Sequence, residues 1–169
     1  NETFELVELD SGCSGDVAGP AAQTLVDSGV VAVVGAACSG ASMGANAVLA
    51  AAGIPMISYA STNPGLSDEA AYPHFYRNVP SDAIQGPAGA AMMADAGVTN
   101  ESLAILHMTN DYGSGLADSI KAAWEVDGSL CSAGMQGYEE TTTDFTTMAS
   151  NITDASDCNA VYLSSYITD

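Results

Sequence analysis

Residues 30–58 read VVAVVGAACSGASMGANAVLAAAGIPMIS, and this stretch decides the fold. It opens on an apolar run, Val30–Val34, short and β-branched as a buried parallel strand should be. Small residues lead through Gly35 and Cys38 into an Ala-rich segment, Ser42–Ala52, which suits a helix closed by Gly53. A second apolar run, Pro55–Ser58, follows at once. Strand, helix and strand in this order make a βαβ unit, with parallel strands and a right-handed crossover.

The same alternation runs outward in both directions. Further strands are expected at Phe4–Leu9, Leu103–His107, Ala133–Tyr138 and Ala160–Ser164. Helices are expected at Asp16–Asp27, Ser81–Asp95, Ser114–Trp124 and Thr143–Ile152. Repeated βα units predict an α/β fold with parallel sheets. A boundary falls near Val79-Pro80-Ser81, where the irregular run Tyr72–Pro80 gives way to a new helix. The expected organisation is two Rossmann-like lobes, residues 1–80 and 81–169, built as a hinged clamp. The chain starts on one strand candidate and stops just after another, so it is expected to be incomplete at both ends.

Length and composition agree with this. A chain of 169 residues makes one average domain or two small lobes. Apolar residues make up 47% but aromatics only 7%, which favours close helix-on-sheet layers over a β-sandwich. Twenty-one acids face two bases, Arg77 and Lys121, for a net charge of −19. Such a surface repels nucleic acid, whose phosphates need Lys and Arg, and an anionic membrane face. Its self-repulsion is screened by salt. A thermal midpoint that rises as sodium chloride is added is therefore expected. No apolar run reaches about 18 residues, so this segment does not insert directly into a membrane.

The four cysteines, Cys13, Cys38, Cys131 and Cys158, form no CxxC pair. A zinc ribbon or thioredoxin site is therefore not expected, and no metal or cofactor is implied. An even count in an exported protein suits two disulfides; four buried thiols are the alternative. Cys131 and Cys158 each precede a strand candidate, and strands entering from the same end bring such residues together as a disulfide.

Ligands of parallel α/β sheets bind at the carboxyl ends of strands, beside helix N-termini. Two such ends stand out. At Gly35–Ser42, backbone amides and the Ser39 hydroxyl suit a carboxylate, although an ordinary glycine-rich βα turn reads the same way. At Met56–Pro64, Ala60 offers a carbonyl to an ammonium and Thr62 offers a hydroxyl and an amide; the plain alternative is an Asn-Pro turn with capping hydroxyls. Catalysis has less to stand on. Cys38 or Ser39 passes for a nucleophile, but only His74 and His107 offer an imidazole base. The Walker loop and the HExxH zinc motif are missing from the sequence. The expectation is a binding protein, not an enzyme.

An ordered series of short motifs sharpens this. Cys38-Ser, Ala52-Gly-Ile-Pro-Met-Ile-Ser, Thr62-Asn-Pro, Arg77-Asn-Val, Gln85-Gly-Pro, Asp111-Tyr-Gly-Ser-Gly-Leu and Thr143-Asp-Phe resemble the type I periplasmic binding proteins. The resemblance is to the Leu/Ile/Val-binding group, which serves branched-chain amino-acid ABC transporters, and it covers essentially the whole chain. It implies a Cys13–Cys38 disulfide and ligand contacts at Ser39, Ala60 and Thr62. It implies side-chain pocket positions at Ala37, Tyr112 and Tyr166, with Ala37 smaller than the family's usual Leu. The implied partners are a small amino-acid-like ligand and an ABC permease in the membrane. The implied location is periplasmic or extracellular, a cell-surface lipoprotein included. A ligand-sensing ectodomain or amide sensor of the same fold is the alternative.

Overall fold

The computed structural model describes residues 3–166. The elements follow in the order α1 (Gly15–Asp27), β1 (Val33–Val34), α2 (Ser39–Ala51), β2 (Met56–Ser58), β3 (Phe75–Arg77), α3 (Asp82–Asp95), β4 (Leu103–Met108), α4 (Asp111–Trp124), β5 (Met135–Tyr138), α5 (Thr146–Thr153) and β6 (Ala160–Ser164). A 3-10 turn, Pro64–Ser67, sits between β2 and β3. The chain divides into two compact units, one ending at Ser81 and the other beginning at Asp82. Each holds its own three-stranded parallel sheet, β1-β2-β3 in the first and β5-β4-β6 in the second.

In the first unit, α1 and α2 pack on each other and on one sheet face. Ala18 and Ala22 of α1 meet Ala41, Ala45 and Leu49 of α2, over Met56 of β2. Small side chains let the two helices approach closely. A Cβ on Gly44 would lie 2.5 Å from the Gly15 backbone, so this crossing admits no larger residue there. The opposite sheet face carries Val34, Ile57 and Tyr76, neighbours across the ladder, and all three are exposed.

Two sequence expectations change here. Phe4–Leu9 is not a strand: it joins no ladder among the described residues, and Phe4 is 94% exposed. Alternation of apolar residues needs a partner strand to become a sheet, and the edge strand β1 is only two residues long. The segment instead lines a cavity of about 660 Å³ together with α1 and the Val30–Ala37 stretch. Conversely, the run read as irregular contains β3. It pairs in parallel with β2, Met56 opposite Phe75 and Ser58 opposite Arg77. Three residues flanked by prolines carry too little pattern to announce a strand.

In the second unit, β4 is the central strand, with Leu103 and Ile105 fully buried. Leu116, Ala117, Ile120 and Trp124 of α4 and Ala90 of α3 complete this core. Helix α4 begins three residues before the expected Ser114 because Asn110 caps it, its Oδ1 accepting the Gly113 amide at 2.8 Å. Helix α5 starts later than Thr143 because Asp144 turns the chain first, accepting the Thr146 amide at 2.9 Å. Cys131 and Cys158 form a disulfide with Cα atoms 5.2 Å apart. Beside it, Asp157 accepts the amide and hydroxyl of Ser132 at 2.8 and 2.6 Å.

Candidate functional site

Strand β1 leaves the sheet at Gly35, whose φ of +133° favours glycine, and the chain passes through Ala36 and Ala37 to Cys38. Cys38 is the N-cap of α2 but gives no side-chain hydrogen bond to its first turn. Its sulfur is bonded to Cys13, with Cα atoms 5.2 Å apart. The bridge pins the loop before α1 to the start of α2. It also leaves Cys38 no thiolate, which closes the nucleophile reading for that residue. The first helical hydrogen bond runs from the Ser42 amide to Cys38 O at 2.9 Å. The amides of Ser39, Gly40 and Ala41 thus lead the helix, where its dipole favours an anion.

Beside this helix end lies the loop that follows β2. Ser39 is only 1% exposed, and its Oγ accepts the Asn63 amide at 3.2 Å. The hydroxyl therefore ties α2 to the loop and still has its own proton to donate. Thr62 is half-buried next to it, Ala37 is half-buried on the preceding loop, and Ala60 is exposed. The four proposed contacts of the first unit thus lie at the carboxyl ends of β1 and β2: Ala37 on the loop after β1, Ser39 at the start of α2, and Ala60 and Thr62 on the loop after β2.

What joins those loops escaped the sequence reading. Three serine hydroxyls converge on the Ala36 carbonyl, from Ser58 at 2.5 Å, Ser61 at 3.2 Å and Ser42 at 3.3 Å. Ser61 Oγ also lies 3.0 Å from Ala37 O and 2.8 Å from Ser42 Oγ. Ser58 Oγ in turn accepts the Ser61 amide at 2.9 Å and the Ala60 amide at 3.2 Å. All three serines are buried. A satisfied buried network of this kind fixes geometry, since any broken member leaves a polar group stranded. The available signal is the hydroxyl-rich run after β2.

In the second unit, Tyr112 stands in the first turn of α4 and Tyr166 follows β6. Their rings stack in parallel, 5.0 Å between centroids and 5° between planes. The Ser164 hydroxyl donates to Gly113 O at 3.0 Å, holding β6 against α4 beneath the pair. Asn110 Nδ2 donates to Glu140, and Thr109 Oγ1 donates to Glu139 at 2.8 Å. Acids thus rim the tyrosines. Burial, and next the charge of Glu140, push the Tyr166 phenol up to about 12. Burial, and next the charge of Asp82, raise Tyr112. Both rings are neutral hydrogen-bonding phenols at physiological pH.

A pH dependence follows. A phenol raised in the folded state contributes stability that is full below its ordinary value of 10.0 and is lost as pH climbs through about 12. Denaturant unfolding of the full-length protein should therefore show alkaline destabilisation across this window, and Tyr166→Phe should reduce it. An unchanged profile would show that Tyr166 does not titrate in this way.

The histidines offer little chemistry. His107 is buried with Nδ1 2.9 Å from Met108 O, and His74 is exposed at a positive φ of 60°. Among the described residues, no group of three or more His, Cys, Asp or Glu side chains could hold a metal ion. No helix among them is long and apolar enough to cross a membrane.

With this geometry in place, comparison with known proteins is informative. The model of the receptor family ligand binding region matches residues 1–167. The chain belongs to this family. Within the receptor ligand-binding family it is similar to a leucine-specific-binding protein of Salmonella typhimurium, 34% identical over 115 residues, 68% of this chain and 31% of that protein. It is also similar to a metabotropic glutamate receptor-like protein E of Dictyostelium discoideum, 38% identical over 96 residues, 57% of this chain and 12% of that protein. Among solved structures, an ABC transporter substrate-binding protein of Desulfitobacterium hafniense in complex with Leu superposes with a TM-score of 0.71. It is 27% identical, and the match covers 95% of this chain and 47% of that one. The fold is therefore that of the type I periplasmic binding proteins. The chain spans about a third of the length of the leucine-specific relative.

Proposed function

We propose that this chain is part of an extracytoplasmic solute-binding component of an ABC transporter that captures an amino acid, branched-chain or similar. The observation that carries the reading is the pairing of an α2 N-terminus with the Thr62 loop, locked together by Ser39 and the buried serines. A helix N-terminus attracts a carboxylate, and the carbonyl of Ala60 suits an ammonium. Ala37, and in the second unit the stacked Tyr112 and Tyr166, are the proposed contacts of the ligand's side chain. The ligand is held and released with no bond made or broken, so the chain is not an enzyme. The partner is a membrane permease, and the location is periplasmic or at the cell surface. A thermal-shift screen of the full-length protein against amino acids, amides and urea tests this. Stabilisation by an aliphatic amino acid is expected. A shift with amides or urea alone would overturn the ligand class, and no shift with any of them would overturn the reading.

The receptor-like relative from Dictyostelium favours a second reading, a ligand-sensing ectodomain of the same fold. Neighbouring genes separate the two: permease and ATPase genes support transport, and a signalling partner supports sensing.

A further inference from the structure

We infer that Arg77 is the positioning residue of the ligand loop, its guanidinium setting the orientation of Thr62. This rests on the proposed role of Thr62 as a ligand contact. Arg77 is one of only two bases in the chain, and it ends β3 half-buried. Its Nη1 donates to Asn63 O at 2.9 Å and reaches Ser61 O at 3.5 Å. Its Nη2 donates to the Ser67 hydroxyl, at the far end of the 3-10 turn. Arg77 therefore grips the carbonyls on both sides of Thr62. Asn63 is held from three directions, since its amide donates to Ser39 and its Oδ1 accepts the Gly65 amide at 2.7 Å. The planar fork of arginine can take several acceptors at once, whereas the ammonium of lysine is a single mobile point charge.

The test uses the full-length protein with L-leucine as probe. Arg77→Lys is expected to weaken leucine binding about tenfold in the parent but no more than about twofold when Thr62 is already alanine, since coupled residues are non-additive. Amide exchange of Asn63 and Gly65 should quicken about tenfold while that of Ser42 in α2 stays unchanged. Equal losses of affinity in both backgrounds, unchanged loop exchange, or equal quickening of Ser42 would each overturn the inference. A parent protein that binds no leucine would instead count against the proposed ligand, and the exchange pattern alone would then decide the role of Arg77.

Discussion

Replacing Cys13 and Cys38 together by alanine is expected to cost the full-length protein about 3 kcal/mol of stability and to weaken its ligand binding as well. The bridge spans 25 residues, and constraint of the unfolded chain over a loop of that length is worth about this much. The binding loss has a separate cause. Cys38 is the N-cap of α2, and without the bridge nothing from its side chain holds the helix start. The leading amides and Ser39 then lose their fixed relation to the Thr62 loop. Replacing Cys131 and Cys158, whose bridge spans 27 residues, gives the control. It should cost about as much stability, by the same loop-length argument, and leave affinity unchanged. Urea unfolding and calorimetric titration of the two variants separate the effects. Equal affinity in both would show that the first bridge has no part in ligand binding.

The second large effect concerns the site itself. Ser39→Ala combined with Thr62→Ala should weaken amino-acid binding at least tenfold, with the fold intact by circular dichroism. Hydrogen bonds to charged groups are worth about 1.5–3 kcal/mol each, and tenfold is about 1.4 kcal/mol. Losing even one such bond reaches the threshold. Removing Ser39 also strips the Asn63 amide of its acceptor, so a modest drop in melting temperature should accompany the change. Affinity equal to that of the parent protein would remove Ser39 and Thr62 from the site.

Much of this was legible in residues 30–58. The apolar runs and the Ala-rich segment between them announce strand, helix and strand, and β1, α2 and β2 lie there. The Ala-rich pattern begins at Ser42, but α2 starts at Ser39, and that shift puts Ser39 inside the first turn, buried. Local pattern fails where tertiary context decides. Phe4–Leu9 alternates like a strand but has no neighbour to pair with among the described residues. The Phe75–Arg77 stretch shows no period and becomes a strand only by lying beside β2. The serine network was hidden for a related reason. A hydroxyl's partner is set by the fold, and Ser42, Ser58 and Ser61 are far apart in sequence yet share the Ala36 carbonyl. Arg77 carried a signal of another kind, as one of two cations in a strongly acidic chain. Its role follows only from the loop it grips.

The most direct test of the central claim is a crystal structure of the full-length protein grown with L-leucine. The account expects the ligand's carboxylate at the α2 N-terminus, within hydrogen-bond distance of Ser39 or the amides that follow it, and Thr62 in contact with the same molecule. A leucine bound away from both loops, with Ser39 and Thr62 untouched, would contradict it.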